Sequence, residues 1–436
     1  MNNYAHNSGG GVILAGINCT IIGSNFIKNT AKGSGGGVHI GAQFKNENLT
    51  NCIFTDNNAN NGGAICVGAI DTTISNSTFT GNTATANGGA VYWGGANSNM
   101  SNCNFTDNHA IQGDNVWWYW TVNDFLNKYN QINDDDYVLI KNGVGTPSRT
   151  IVLNKKGVTI SSEGNVIFDA KGGNLHFEVT GDNVLIEKIT FRNFNFTTNG
   201  GAILWNGNNG TLKNCNFINN TARAGAGVCW NGTNGVLIDS TFNSNMANIN
   251  AAVYWSGYNG ILTNCNFTNN TAGYGGAGVL WNGHDGTLTD CTFNGNKALI
   301  YHGGGVYWSG YNGILTNCNF TNNIAGGWGG AVGWWGRNGN LSYSIFNNNI
   351  AGEFGGAILW NIVGYMFNCS FYNSTSQISN GIYAVSNLTI AGGKGIVDLR
   401  VGDTLSGISI IVLNNETYYY PPNTNINLPN KNSMKQ

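Results

Sequence analysis

The sequence predicts an all-β fold, a parallel β-helix solenoid with coils of about 25 residues. The first sign is a period. A Phe-x-x-Asn pair recurs at Phe26, Phe54, Phe79 and Phe105, then at Phe217, Phe242, Phe267, Phe293, Phe320 and Phe346, and Phe371 follows with Ser374 in place of Asn. Literal repetition is the second: VYWSGYNGILTNCNFTNN stands at Val253–Asn270 and again at Val306–Asn323. The third is the brevity of the segments between turn signals, which are rich in β-branched and aromatic residues and too short for helices. A spacing of 25 to 28 residues suits one rung of a solenoid and falls short of a propeller blade.

Taken in chain order, residues 1–112 form a first β-helix block. A capping insertion, 113–136, carries one short helix within Thr121–Ile132. Thr121 can cap it, Asp124 holds the capping-box position, and Val122, Phe125, Leu126 and Tyr129 share a face. Trp117, Trp118 and Trp120 are expected to help this cap hide open strand edges. Irregular β entry coils fill 137–190, the main repeat block spans 191–392, and 393–436 are expected to start a further, truncated β domain.

Each coil of the main block reads in four parts. Gly-Ala-(Val/Ile)-x-Trp comes first, as in GGAILW at Gly200–Trp205. A turn such as SGYNG (Ser256–Gly260) follows, where Asn-Gly accepts positive φ at little cost. Then come a Leu strand ending in Asn/Asp-Cys-x-Phe and a polar corner. Stacking of equivalent positions predicts ladders of Phe, Trp and Asn. Cys52, Cys103, Cys215, Cys265, Cys291, Cys318 and Cys369 lie two residues before the register Phe, on its face. They are predicted to be buried thiols, because Ser24, Ser77, Ser240 and Ser344 interrupt the column and stacked Cβ atoms lie too far apart for disulfides. No cysteine or histidine spacing suggests zinc, and no metal or cofactor is expected.

Composition narrows the function. Gly supplies 65 residues and Asn about one in six, while only 9% are charged and the net charge is -2. Such a chain lacks a basic face for nucleic acid or anionic lipid. Its aromatic content of 12% argues against disorder. No apolar run approaches the ~18–20 residues that span a bilayer. No secretion signal is visible, and the first residues already belong to a coil, SGGGV at Ser8–Val12, so a piece of a longer protein is expected.

The Trp series Trp205, Trp230, Trp255, Trp281, Trp308, Trp334 and Trp360 is read as an inward stack, because Val or Ile lies two residues before each. Were it to face solvent, it would offer platforms for sugar rings. The candidate ligand-binding set is therefore Tyr254, Tyr258, Tyr307 and Tyr311, which flank the SGYNG turns, with Trp255 and Trp308. No catalytic residue is assigned. Asp239 and Asp290 share a rung position two coils apart, but Asn214, Asn264 and Asn317 hold it elsewhere, so the pair is read as Asp within an Asn column. Asp134, Asp135 and Asp136 are read as a solvated turn. His39, His109, His176, His284 and His302 stand singly. Asn-x-Ser/Thr triplets such as those at Asn209, Asn231, Asn266 and Asn319 are weak glycosylation signals in so Asn-rich a chain.

The motifs GGAI (Gly62–Ile65, Gly200–Ile203, Gly355–Ile358) and GGAV (Gly88–Val91, Gly329–Val332), each followed by FTGN, FTDN, FINN or a relative, resemble the repeats of chlamydial polymorphic membrane proteins. They look closer still to adhesin-like surface proteins of methanogenic archaea. The resemblance covers roughly residues 8–108 and 191–374, with departures at AGAGV, NAAVYW and GAGVLW. It implies a right-handed parallel β-helix, extracellular display at the cell surface, and adhesion to glycans or surface proteins of other cells, with no catalytic residues to carry over. The alternatives are a polysaccharide lyase or hydrolase on the same scaffold and a structural envelope spacer.

Overall fold

The computed structural model describes residues 1–385 and, beyond them, the strand segments 388–391, 394–395, 398–401, 409–413, 416–420 and 425–427. The chain is a parallel β-helix that divides into two compact units. One comprises residues 1–145 with 153–167 and 181–189; the other comprises 146–152, 168–180 and the chain from 190 onward. Most of the expected cap and entry segments thus fold with the first unit.

In the second unit a regular coil holds four short strands, exemplified by Val253–Trp255, Ile261–Thr263, Asn266–Thr268 and Thr271–Ala272. We call these the Trp, Leu, Phe and Ala strands. Each pairs in parallel with its counterpart in the next coil without slip: Val253 with Val279, Leu262 with Leu288, Phe267 with Phe293, Ala272 with Ala298. Pleat alternation turns Val253, Trp255, Leu262, Phe267 and Ala272 inward, where all are fully buried.

Corners between strands are made by single left-handed residues. In this coil Asn259, Asn264 and Asn269 have φ of 54°, 51° and 54°, and Gly276 completes the turn at 58°. That conformation costs an ordinary L-residue roughly 1–2 kcal/mol, and Asn, Asp or Gly much less. The recurrence of these corners accounts for the composition. The Asn-Gly turn does accept a positive φ, and it is Asn259, not Gly260, that supplies it. Gly260 is required because a Cβ there would lie 2.3 Å from Nε1 of Trp255.

The Asn of each Phe-x-x-Asn pair points into the core and forms a closed ladder. Oδ1 of Asn270 accepts from both the backbone N–H and Nδ2 of Asn245, at 3.0 Å each. Its own Nδ2 donates to Asn296 Oδ1 and to the Phe242 carbonyl, at 2.9 Å each. The polar atoms of a fully buried amide are thereby satisfied. The same ladder links Asn29, Asn57, Asn82 and Asn108 in the first unit. All ten cysteines are free. Cys291 Sγ donates to the Thr289 carbonyl and accepts the Cys265 N–H; Ser344 Oγ does both jobs in its own coil. That equivalence explains why Ser replaces Cys so readily. Burial pushes the Cys369 thiol up to about 12, so it stays protonated.

In the first unit the Trp-strand column runs Val12, Val38, Ile65, Val91 and Val116. Trp117 and Trp118 lie inside that ladder, opposite Tyr92 and Trp93 on one side and Tyr137 and Val138 on the other. They therefore extend the sheet and do not sit over its end. The covering role falls to the segment that follows. Its helix, Val122–Lys128, carries the predicted Thr121–Asp124 capping box and buries Val122 and Phe125. Beyond it Gln131 reaches the terminal Leu strand of this unit, accepting the Met100 N–H at 3.4 Å and donating to Asn99 Oδ1 at 2.7 Å. Of the acidic trio, Asp136 departs from the solvated reading. It is 1% exposed and accepts from the Val116 N–H, Trp118 Nε1 and the Asn133 N–H. Burial pushes its carboxyl up to about 8 against the pull of those donors.

Much of the segment 393–436 lies outside the described residues. Of its described strands, 398–401 pairs in parallel with Ile382–Ala384 and 409–413 with Leu388–Ala391.

The ladder and the corners make opposite predictions for adjacent residues. Asn270→Ala orphans several buried donors and acceptors at about 1–3 kcal/mol each, and is expected to lower stability by at least about 3 kcal/mol. Asn269→Gly, at an exposed left-handed corner, should change it by less than about 1 kcal/mol. Urea denaturation of the two variants against the parent protein measures both.

Candidate functional site

The Trp column is structural. From Trp205 to Trp360 consecutive rings lie 4.4 to 5.0 Å apart and within 10° of parallel, and every one is fully buried. Trp255 and Trp308 are accordingly removed from the ligand-binding set: no ligand on the surface reaches them. The column carries its own cost. Trp308 and Trp334 donate Nε1–H to the carbonyls of Gly310 and Gly336, at 3.1 and 2.9 Å, whereas Nε1 of Trp205, Trp230, Trp255, Trp281 and Trp360 is buried without an acceptor.

The predicted tyrosines separate into different settings. Tyr258 and Tyr311 are about half exposed, at 52% and 48%, but His284 is stacked between them, with centroids at 5.2 and 4.6 Å. The ring faces turned toward His284 are covered. Tyr254 is half-buried on the outer side of its Trp strand, where its hydroxyl accepts from Asn282 Nδ2 at 3.1 Å. Tyr307 stands at the equivalent position two coils on, and there the surface opens.

That opening comes from the corner between the ladder Asn and the next Trp strand. The chain advances eight positions from Asn245 to Val253, nine from Asn270 to Val279, ten from Asn296 to Val306 and nine again from Asn323 to Val332. The extra residues bulge outward and bring up aromatic side chains that sequence reasoning missed. Along the corner, Asn250, Gly275, His302, Trp328 and Phe354 pair one above the next. Gly275 has no side chain to contribute, and its place is an open hollow of about 350 Å³ lined by Ile249, Asn250, Tyr274, Tyr301, His302 and Tyr307. Tyr274 and Tyr301 remain 46% and 45% exposed, with centroids 5.8 Å apart and planes 27° from parallel. A second gap, outside Gly333, is closed: Trp335 folds over it, so that a Cβ on Gly333 would meet its ring at 2.8 Å.

His302 is the hub of this surface. Tyr301, Tyr307, Trp328 and Trp335 surround its ring at centroid distances of 4.2 to 5.6 Å. Its Nδ1 is buried without a hydrogen-bond partner, and burial lowers its pKa to about 4, leaving a neutral imidazole at ordinary pH. Burial likewise raises the Tyr307 phenol. Further along, Trp328 Nε1 donates to Glu353 Oε2 at 2.7 Å and Phe354 packs against Trp328.

The acidic pair keeps the place of Asn in its column. Asp239 and Asp290 occupy left-handed corners, with φ of 54° and 56°. Each accepts from the Asn of the following coil: Asn264 Nδ2 reaches Asp239 at 2.7 Å, and Asn317 Nδ2 reaches Asp290. Among the described residues no three His, Cys, Asp or Glu side chains gather as a metal site, and no helix is long and apolar enough to cross a membrane.

Residues 201–391 match the right-handed β-helix region family, and residues 76–92 match the chlamydial polymorphic membrane protein repeat. No curated protein matches. Among solved structures, the pectate lyase Pel9A is similar at 14% identity and a TM-score of 0.35, over 66% of this chain and 78% of that one. A GH136 lacto-N-biosidase from Eubacterium ramulus is similar at 9% identity and a TM-score of 0.41, over 68% of each chain. Likeness at that level says nothing of chemistry.

Of the 13 tryptophans only Trp328 and Trp335 are not buried, so they should account for the emission that acrylamide quenches, and Trp328→Phe should remove a large part of it. A second measurement concerns His302, which is neutral when folded and can protonate near pH 6.5 when unfolded. Its contribution to stability is therefore present above pH 6.5 and lost as pH falls toward about 4. Urea midpoints at pH 7.5 and 5 should diverge more in the parent protein than in His302→Gln.

Proposed function

We propose that the chain is a non-enzymatic, adhesin-like repeat protein of the cell surface that binds glycans through the aromatic corner around Tyr274, Tyr301 and Tyr307. One observation carries the reading: rings at this corner stand half exposed around an unfilled hollow, whereas the aromatic columns inside the coils cover both faces of each inner ring. A sugar ring presents C–H groups that pack on an aromatic face, with hydroxyls at its edge for polar side chains. Small-ligand sites combine apolar walls with a few placed polar groups in this way. The likeness of the Gly-Gly-Ala and Phe-x-x-Asn motifs to surface repeat proteins supports display outside the cell.

Cleavage is the competing reading, and the distribution of carboxylates weighs against it. Glycoside hydrolysis needs two carboxyl groups facing one bond, about 5–10 Å apart. Asp239 and Asp290 are separated by the coil of Asn264 and are tied to neighbouring amides. A glycan array probed with the whole chain, beside a screen for released oligosaccharide, tests the assignment. Binding without turnover is expected. Tyr301→Ala should weaken binding at least tenfold while Tyr258→Ala leaves it nearly unchanged, and turnover without binding selectivity would reverse the conclusion.

A further inference from the structure

We infer that the hollow at Gly275 is a subsite for a neutral sugar ring and discriminates against uronic and sialic acids. The inference rests on the glycan-binding reading above and adds the class of sugar.

The hollow has a specific origin. In the corner column Asn250, Gly275, His302, Trp328 and Phe354, only the second place lacks a side chain. The backbone forbids filling it from within, since a Cβ on Gly275 would lie 2.7 Å from the His302 carbonyl oxygen. The comparable gap at Gly333 is plugged by Trp335, but among the described residues none folds over Gly275 in the same way. At about 350 Å³ it stands at the small end of ligand sites, roughly 300–1,000 Å³, which suits a short sugar segment and not a long one.

Its lining is free of charge. Ile249, Asn250, Tyr274, Tyr301, His302 and Tyr307 include no Asp, Glu, Lys or Arg. His302 carries no positive charge, because its ring is enclosed by Tyr301, Tyr307, Trp328 and Trp335 and stays neutral. Further along the corner, Glu353 is held by Trp328 and adds negative potential. A carboxylate-bearing sugar entering here would leave water without gaining a cation, which is costly. A neutral pyranose meets the half-exposed rings of Tyr274 and Tyr301, and the phenol hydroxyls and the Asn250 amide can both donate to and accept from its hydroxyls.

Titration calorimetry with the full chain, at physiological ionic strength, separates the outcomes. The probes are neutral gluco-, galacto- and manno-oligosaccharides, oligogalacturonate and a sialyl-oligosaccharide. At least one neutral series should bind ten times more tightly than either acid, with that affinity lost in both Tyr301→Ala and Tyr274→Ala. Asn250→Lys should move preference toward the acidic probes. Tyr301-dependent binding that favours the acids would overturn the inference and leave the glycan reading intact. Absence of binding to every glycan, or binding only to protein ligands, would overturn both. Circular dichroism of each variant guards against loss of fold, and because Tyr274 and Tyr301 project half into solvent, two independent truncations are available.

Discussion

The structure depends on parallel backbone pairing between coils at zero slip. Hydrogen bonds along the solenoid set a repeat of about 4.8 Å, and each side chain of the Trp, Leu and Phe strands then meets its counterpart one coil away. The aromatic columns show which force is in charge. Trp308 and Trp334 lie with planes parallel and centroids 5.0 Å apart, within the range that stacked aromatic pairs favour. Phe293 and Phe320 keep nearly the same spacing, 4.8 Å, because the backbone repeat sets it for both columns. The buried Asn ladder obeys the same repeat, and it satisfies its amides because each neighbour presents another Asn at the same place.

Such a constraint makes part of the fold unusually legible. The positions of Phe, Leu, Trp, Cys and the ladder Asn could be read from sequence because identity in the text becomes contact in space. The helix was legible too, through Thr121 and Asp124. Other features were hidden for physical reasons. Asn-Gly announces a turn with positive φ, which Asn259 takes, but that Gly260 yields room to an indole is a contact no local rule encodes. Asp136 sits in a run of three acids that suggests solvent, and only the fold reveals the three donors converging on it.

Substitutions inside a column are informative through the job they preserve. Ser and Cys interchange because each donates to the carbonyl two residues back and accepts an N–H from the preceding coil. Asp and Asn interchange at corners because both tolerate positive φ and can accept an amide from the next coil. Asp239 and Asp290 are of this second kind, so their alignment reflects conformation. A carboxylate in a solenoid suggests chemistry when it leaves its column's job, not when it keeps it.

The candidate site follows the converse logic. In the second unit, from the Val or Ile of one Trp strand to the next ladder Asn the chain advances seventeen positions, as in Val253–Asn270, Val279–Asn296 and Val306–Asn323. That stretch is pinned by the Trp, Leu, Cys, Phe and Asn columns, and an added residue within one of its strands would break a ladder. The corner ahead of the Trp strand is freer to lengthen, because residues between its buried Ala columns face solvent. It is there that Tyr301 and His302 are accommodated and there that Gly275 leaves its gap. The tyrosines flagged beside the SGYNG turns belong to the repeated part of the coil, and Tyr258 and Tyr311 consequently stack on a shared neighbour. A readable signal did exist: an aromatic ring directly before the Gly pair in three successive coils, at His302, Trp328 and Phe354, coinciding with the change in corner length. In a chain whose repeated residues are committed to packing, the surface free to recognise a ligand is found where the repeat changes.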